Sequence, residues 1–121
     1  MSYDENNIFA KILKGDIPCK RIYEDEYILS FYDINPQKKI HALVIPKGKY
    51  IDLDDFNAKA SDKEILGLIK GISIVAKKLG VSLDNGKGYR TLSNLSEHGG
   101  QEVPHLHFHL FGGEKIGKMV Q

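Results

Sequence analysis

The sequence has one cysteine, no tryptophan and four prolines in 121 residues. A lone thiol, Cys19, excludes an intrachain disulfide and any zinc site built on several cysteines, as expected of a chain kept in a reducing compartment. Charge of one sign is missing too: seventeen Lys and Arg against sixteen Asp and Glu leave +1. No long-range field therefore draws the chain to nucleic acid or an anionic membrane, and any bound anion must be held by locally placed groups. No apolar run approaches the roughly 18 residues that span a bilayer. The opening Met1-Ser2-Tyr3-Asp4-Glu5-Asn6-Asn7 lacks the basic stretch and apolar segment of a secretion signal, so the expected location is the cytoplasm. Gly-x-Gly-x-x-Gly, Walker-type and Gly-x-Ser-x-Gly motifs are absent, which leaves dinucleotide redox, NTPase and serine hydrolase chemistry without support. With 41% hydrophobic and 27% charged residues and no internal repeat or linker, one domain over residues 1–121 is expected.

Along the chain, Ile8 to Lys14 carries apolar residues at helical spacing and stops at Gly15, which predicts a short amphipathic helix. Arg21–Glu24 and Tyr27–Tyr32 flank Asp25-Glu26 as a hairpin. Asp33-Ile34-Asn35-Pro36 is a turn, and Ile40–Ile45, interrupted only by His41, is a central strand buried on both faces. Ser61 with Glu64 forms a capping box for the one long helix, whose expected inner stripe is Ile65, Leu68, Ile69, Ile72, Val75, Ala76 and Leu79, with Gly80 as the stop. Leu66 and Ile74 lie off that stripe and are candidates for contact with a second subunit. Tyr89–Ser93 reads as a strand and Glu97–Gly100 as a loop. Helices and strands without regular alternation indicate an α+β fold with a mostly antiparallel sheet.

Three of the five histidines stand in Pro104-His105-Leu106-His107-Phe108-His109-Leu110, between Gly99-Gly100 and Gly112-Gly113. In an extended strand His105, His107 and His109 share one face, about 6.6 Å apart, while Leu106, Phe108 and Leu110 face a core. Such a row has three readings. It can be a set of hydrogen-bonded structural histidines, or a metal site to which His41 adds a nitrogen. It can also hold a nucleophilic imidazole, which attacks phosphorus as the neutral ring and leaves a labile phosphoimidazole, provided the ring is held in one tautomer and backbone donors face the phosphoryl oxygens. Gly99-Gly100 can supply such donors.

The run Gly99-Gly100-Gln101-Glu102-Val103-Pro104-His105-Leu106-His107-Phe108-His109-Leu110 resembles the signature of the histidine triad family. Its Gly-Gly-Gln entry and Gly112-Gly113 exit resemble the Hint branch of nucleotide-binding phosphoramidases. Ile8-Phe9, Lys11-Ile12, Gly15–Pro18, Phe31–Gln37, His41–Pro46, Gly88-Tyr89-Arg90 and Asn94 follow the family's order, so the likeness covers nearly the whole chain. The resemblance implies a five-stranded, mostly antiparallel sheet with one long and one short helix, and a homodimer whose sheets join into ten strands. It implies a purine nucleoside monophosphate or its phosphoramidate as ligand, no cofactor and no metal. His107 would be the nucleophile, His109 would contact phosphate or leaving group, and His105 and His41 would orient and polarise His107. Asp33 would accept the ribose hydroxyls, Ile8, Phe9, Phe31 and Ile34 would line the base slot, and Asn94, Gly100, Gln101, Glu102 and Val103 would surround the phosphate.

The expected activity is hydrolysis of purine nucleoside phosphoramidates through a nucleotidyl-histidine. Hydrolysis of diadenosine polyphosphates, or nucleotide binding for regulation with incidental turnover, are the alternatives. Two departures stand out. Glu102 occupies a place where animal relatives often carry a serine, and Asn7 and Ala10 stand where some relatives carry zinc-binding cysteines.

Overall fold

The computed structural model describes residues 2–120. Helix α1 (Ile8–Lys14) begins at Asn7, whose side-chain oxygen accepts the Ala10 N–H at 2.9 Å. It ends at Gly15, where a φ of +84° lets two N–H groups turn back to the carbonyls of Ile12 and Lys11. Strands β1 (Arg21–Glu24) and β2 (Ile28–Tyr32) form the expected hairpin. The Asp25 carboxylate accepts the N–H groups of Tyr27 and Ile28, so Tyr27 belongs to the turn rather than to the strand. β3 (Ile40–Pro46) follows, almost wholly buried.

The next helix, α2 (Leu53–Lys59), is capped by Asp52 and was not expected from the sequence pattern. The long helix α3 (Asp62–Lys78) starts at the reciprocal Ser61–Glu64 capping box. Beyond it lie β4 (Arg90–Leu92), a single helical turn α4 (Ser96–Gly99) where a loop was expected, and β5 (Phe108–Gly112). The five strands pair antiparallel throughout, in the order β1-β2-β3-β5-β4. The α+β class and the antiparallel sheet are as expected, while the helices exceed the expected one long and one short.

Period-2 alternation divides the sheet into two faces with different partners. Ile28, Ala42, Val44 and Leu110 point toward α3 and pack with Leu68, Ile72, Val75 and Ala76. Gly71 makes this approach possible, because a Cβ there would collide with the Ile28 side chain. Leu29, Phe31, Leu43 and Ile45 point the other way and pack under Phe9 of α1. The inner stripe of α3 differs from expectation at one position: Ile69 is 54% exposed and joins Leu66, also 54%, and Ile74 on the outer side.

Candidate functional site

The histidine row lies on the α1 side of the sheet, but only part of it is strand. β5 starts at Phe108. Upstream, the His105 N–H bonds the Val103 carbonyl and the Leu106 N–H bonds the Tyr50 carbonyl, which takes residues 105–107 out of the ladder. The expected straight strand through Pro104 is therefore corrected. Phe9 meets His105 and His107 edge-on, with centroids 6.3 and 5.0 Å away, and His107 meets His109 at 5.1 Å. His41, opposite Phe111 in the β3–β5 register, joins from the neighbouring strand.

Each ring's hydrogen-bond partners determine its tautomer. His105 is fully buried, and its Nε2 lies 2.9 Å from the Pro46 carbonyl, an acceptor only. The proton is therefore on Nε2, and the bare Nδ1 accepts from the Tyr3 hydroxyl at 2.5 Å. His107 Nδ1 is 2.7 Å from the His105 carbonyl and must carry the proton, which leaves its Nε2 as an uncommitted lone pair. His41 Nδ1 accepts the Gln37 N–H at 3.2 Å, so its Nε2–H donates to His109 Nδ1 at 2.9 Å. His109 then carries its proton on Nε2.

Burial favours the uncharged ring in all four cases. It pushes His105 and His109 from 6.5 down to about 4, in His109 with help from its neighbours His107 and His41. It lowers His107 and His41 as well, opposed in His107 by its bond to the His105 carbonyl and by the carboxylates of Asp33 and Glu102. The histidine row thus holds one bare imidazole nitrogen, on His107, beside one imidazole N–H, on His109, and both rings are neutral at physiological pH.

Around this pair the structure brings some of the expected residues together and leaves others outward. Phe9 and Phe31 are buried and meet edge to face at 5.7 Å, whereas Ile8 is half exposed and Ile34 is 90% exposed. Asp33 divides its carboxylate: Oδ1 accepts the Asn35 N–H and closes the turn, and Oδ2 lies 3.4 Å from His41 Nε2. Asn94 follows β4 and is half-buried, its backbone packed against Gly99. Gly100 takes φ +76° at the end of α4. Glu102 is exposed, and Val103 packs against the Phe9 cluster.

The Gln101 amide N–H groups go to the carbonyls of Ile51 and Val103 and its oxygen accepts the Ser96 N–H, so the side chain braces the glycine loop. Sequence reasoning also passed over Phe111, which stacks parallel to His109 at 5.8 Å and covers His41 at 4.3 Å. The same alternation that aligns the histidines places Phe111 next on their face. Among the described residues one group, Asp33, His41 and His109, could hold a metal ion, their donor atoms lying within 4.8 Å of one another. That set differs from the expected metal alternative, since His105 and His107 direct their nitrogens elsewhere.

Residues 14–116 match the HIT domain family. The chain belongs to the HIT family. A HIT-like protein of Azospirillum brasilense is 52% identical over 119 residues, covering 98% of this chain and 95% of that one. The purine nucleoside phosphoramidase of Escherichia coli K12 is 38% identical over 117 residues, covering 96% and 94%. Among solved structures, a HIT family hydrolase from Clostridium thermocellum superposes with a TM-score of 0.85 at 36% identity, over 98% of this chain and 99% of that one. A histidine triad protein from Clostridium difficile gives 0.82 at 37%, over 97% and 98%. Among the described residues no helix is long and apolar enough to cross a membrane.

Proposed function

We propose that this HIT protein hydrolyses purine nucleoside phosphoramidates to the nucleoside monophosphate by double displacement at His107. The observation that carries this reading is the bare Nε2 of His107, a buried ring held in that tautomer by the His105 carbonyl. In the first step Nε2 bonds to phosphorus and the P–N bond breaks, the amine leaving with a proton from water. In the second, the hydroxide so formed attacks phosphorus, the N–P bond breaks and neutral His107 is restored. The His109 Nε2–H donates to the phosphate or the leaving group. Phe9 and Phe31, edged by Ile8 and Ile34, line the base slot, and Asp33 accepts from the ribose. Asn94, Gly100 and the backbone of Glu102 and Val103 bound the phosphate, with Gln101 shaping their loop. The likeness to the E. coli phosphoramidase supports the Hint branch over diadenosine polyphosphate hydrolysis. No metal or cofactor is required, the protein works in the cytoplasm, and a homodimer is supported by the outward apolar side chains Leu66, Ile69 and Ile74 on α3.

Intact-mass measurement after mixing with an adenosine phosphoramidate and quenching tests the mechanism. Wild type or His109→Ala should carry an added nucleotidyl mass that His107→Ala lacks. Product formation with no adduct in any variant would replace the mechanism with direct attack by water. Nucleotide binding without adduct or product would replace the enzyme with a binding protein.

A further inference from the structure

The N-terminal segment reaches the histidines from outside the motif. Tyr3, 102 positions away in sequence, places its hydroxyl 2.5 Å from His105 Nδ1 and its ring edge-on to the same imidazole at 5.6 Å. The segment is anchored locally. Buried Asn7 caps α1 and donates from its amide to the Asp4 carbonyl at 2.7 Å, Glu5 pairs with Lys49 at 2.8 Å, and Lys14 bonds the Glu5 carbonyl at 3.0 Å. His105 is 0% exposed and its Nε2–H is given to Pro46, so the Tyr3 phenol is the side-chain partner of its Nδ1. The carbonyl of the same residue receives the His107 Nδ1–H.

We propose that Tyr3 is a positioning residue for hydrolysis, its hydroxyl locking the His105 ring and thereby the carbonyl that sets the tautomer and aim of His107. The inference rests on the phosphoramidase reading for its kinetic consequence, and on the hydrogen-bond chain alone for its structural one. Burial raises the Tyr3 phenol above its ordinary value, so it stays a donor across neutrality.

Tyr3→Phe keeps the ring and removes the donor, and Tyr3→Leu removes both. If the hydroxyl acts as proposed, Tyr3→Phe lowers kcat for an adenosine phosphoramidate about tenfold with KM unchanged, the scale of one lost hydrogen bond. Imidazole 15N spectra should then show His105 Nδ1 moving toward an unbonded nitrogen and His107 passing from the Nδ1–H form to a mixture of tautomers. A Tyr3→Phe protein with wild-type kcat and unchanged His107 nitrogens, while Tyr3→Leu is impaired, would reduce Tyr3 to packing and overturn the proposal. If Tyr3→Phe fails to fold, the wild-type spectrum decides, since an unbonded His105 Nδ1 there also overturns it. If wild type turns over no phosphoramidate, the functional reading fails while the nitrogen spectra still judge Tyr3.

Discussion

His107 and His109 are two residues apart on one backbone yet hold opposite tautomers, because their hydrogen-bond partners differ. His107 gives its Nδ1–H to a backbone carbonyl and keeps a lone pair, whereas His109 receives the His41 proton at Nδ1 and keeps an N–H. Burial then holds both rings neutral, His109 at about 4 and His107 below 6.5. A nucleophile with a lowered pKa stays active into acid, so kcat/KM for a phosphoramidate should be flat across neutrality and fall only below pH 6.5. A pH–rate profile with its midpoint above 6.5 would count against His107 as the free base. Asp33→Asn should raise KM for the nucleotide substrate about tenfold with a smaller effect on kcat, because an amide offers one acceptor oxygen in place of two. Of these features, the candidate histidines stood out in the sequence by residue type and spacing, and Asp33 was pointed to by the family resemblance. The histidine tautomers were not legible there, because the partners are Pro46, Gln37 and Tyr3, which no periodicity connects to the triad.

At the scale of elements, α1, the β1–β2 hairpin, β3 and α3 were legible because each carries its own local signal: Gly15, the acidic turn, an unbroken apolar run and the Ser61–Glu64 box. The helix α2 was missed because its seven residues bury a single large side chain, Phe56, too few for a visible period. Ile69 was placed inside because helical phase allows it, but α3 sets Gly71 against Ile28 of β2 and Gly67 against Tyr27 of the β1–β2 turn, and with that face inward Ile69 is exposed. The α3–β2 contact gives a direct test. Gly71→Ala gains helix propensity of about 1 kcal/mol, but its methyl collides with Ile28, and overpacking costs about 1–3 kcal/mol. Net destabilisation is expected, read as a lower urea midpoint. Gly80→Ala, where no atom lies within 4 Å but φ is +75°, would lose stability through backbone strain alone.

For the molecule as a whole, the buried histidines tie the fold to pH. His105 binds a proton at about 4 in the folded chain and near 6.5 when unfolded. Between those values the unfolded state binds more protons, so stability present above 6.5 is lost as pH falls toward 4, up to about 3 kcal/mol for this group. Urea unfolding at about pH 7 and about pH 5 should show the decline, and His105→Asn should flatten it. If α3 mediates dimerisation, Leu66→Glu with Ile69→Glu should give a 13.6 kDa monomer by light scattering; an unchanged mass would place the interface elsewhere.

Composition, the spacing of the three histidines and the local stop and start signals by themselves determined the α+β class, the positions of most elements and the histidine row as the candidate site. These depend on side-chain type and short-range period, which a linear chain displays. Tertiary structure alone decided which nitrogen of each imidazole is bare, that Gln101 braces a loop, and that Tyr3 closes over His105. A tautomer is set by a partner's identity at about 3 Å, and such partners come from distant turns and carbonyls that meet only when the sheet and α1 have packed.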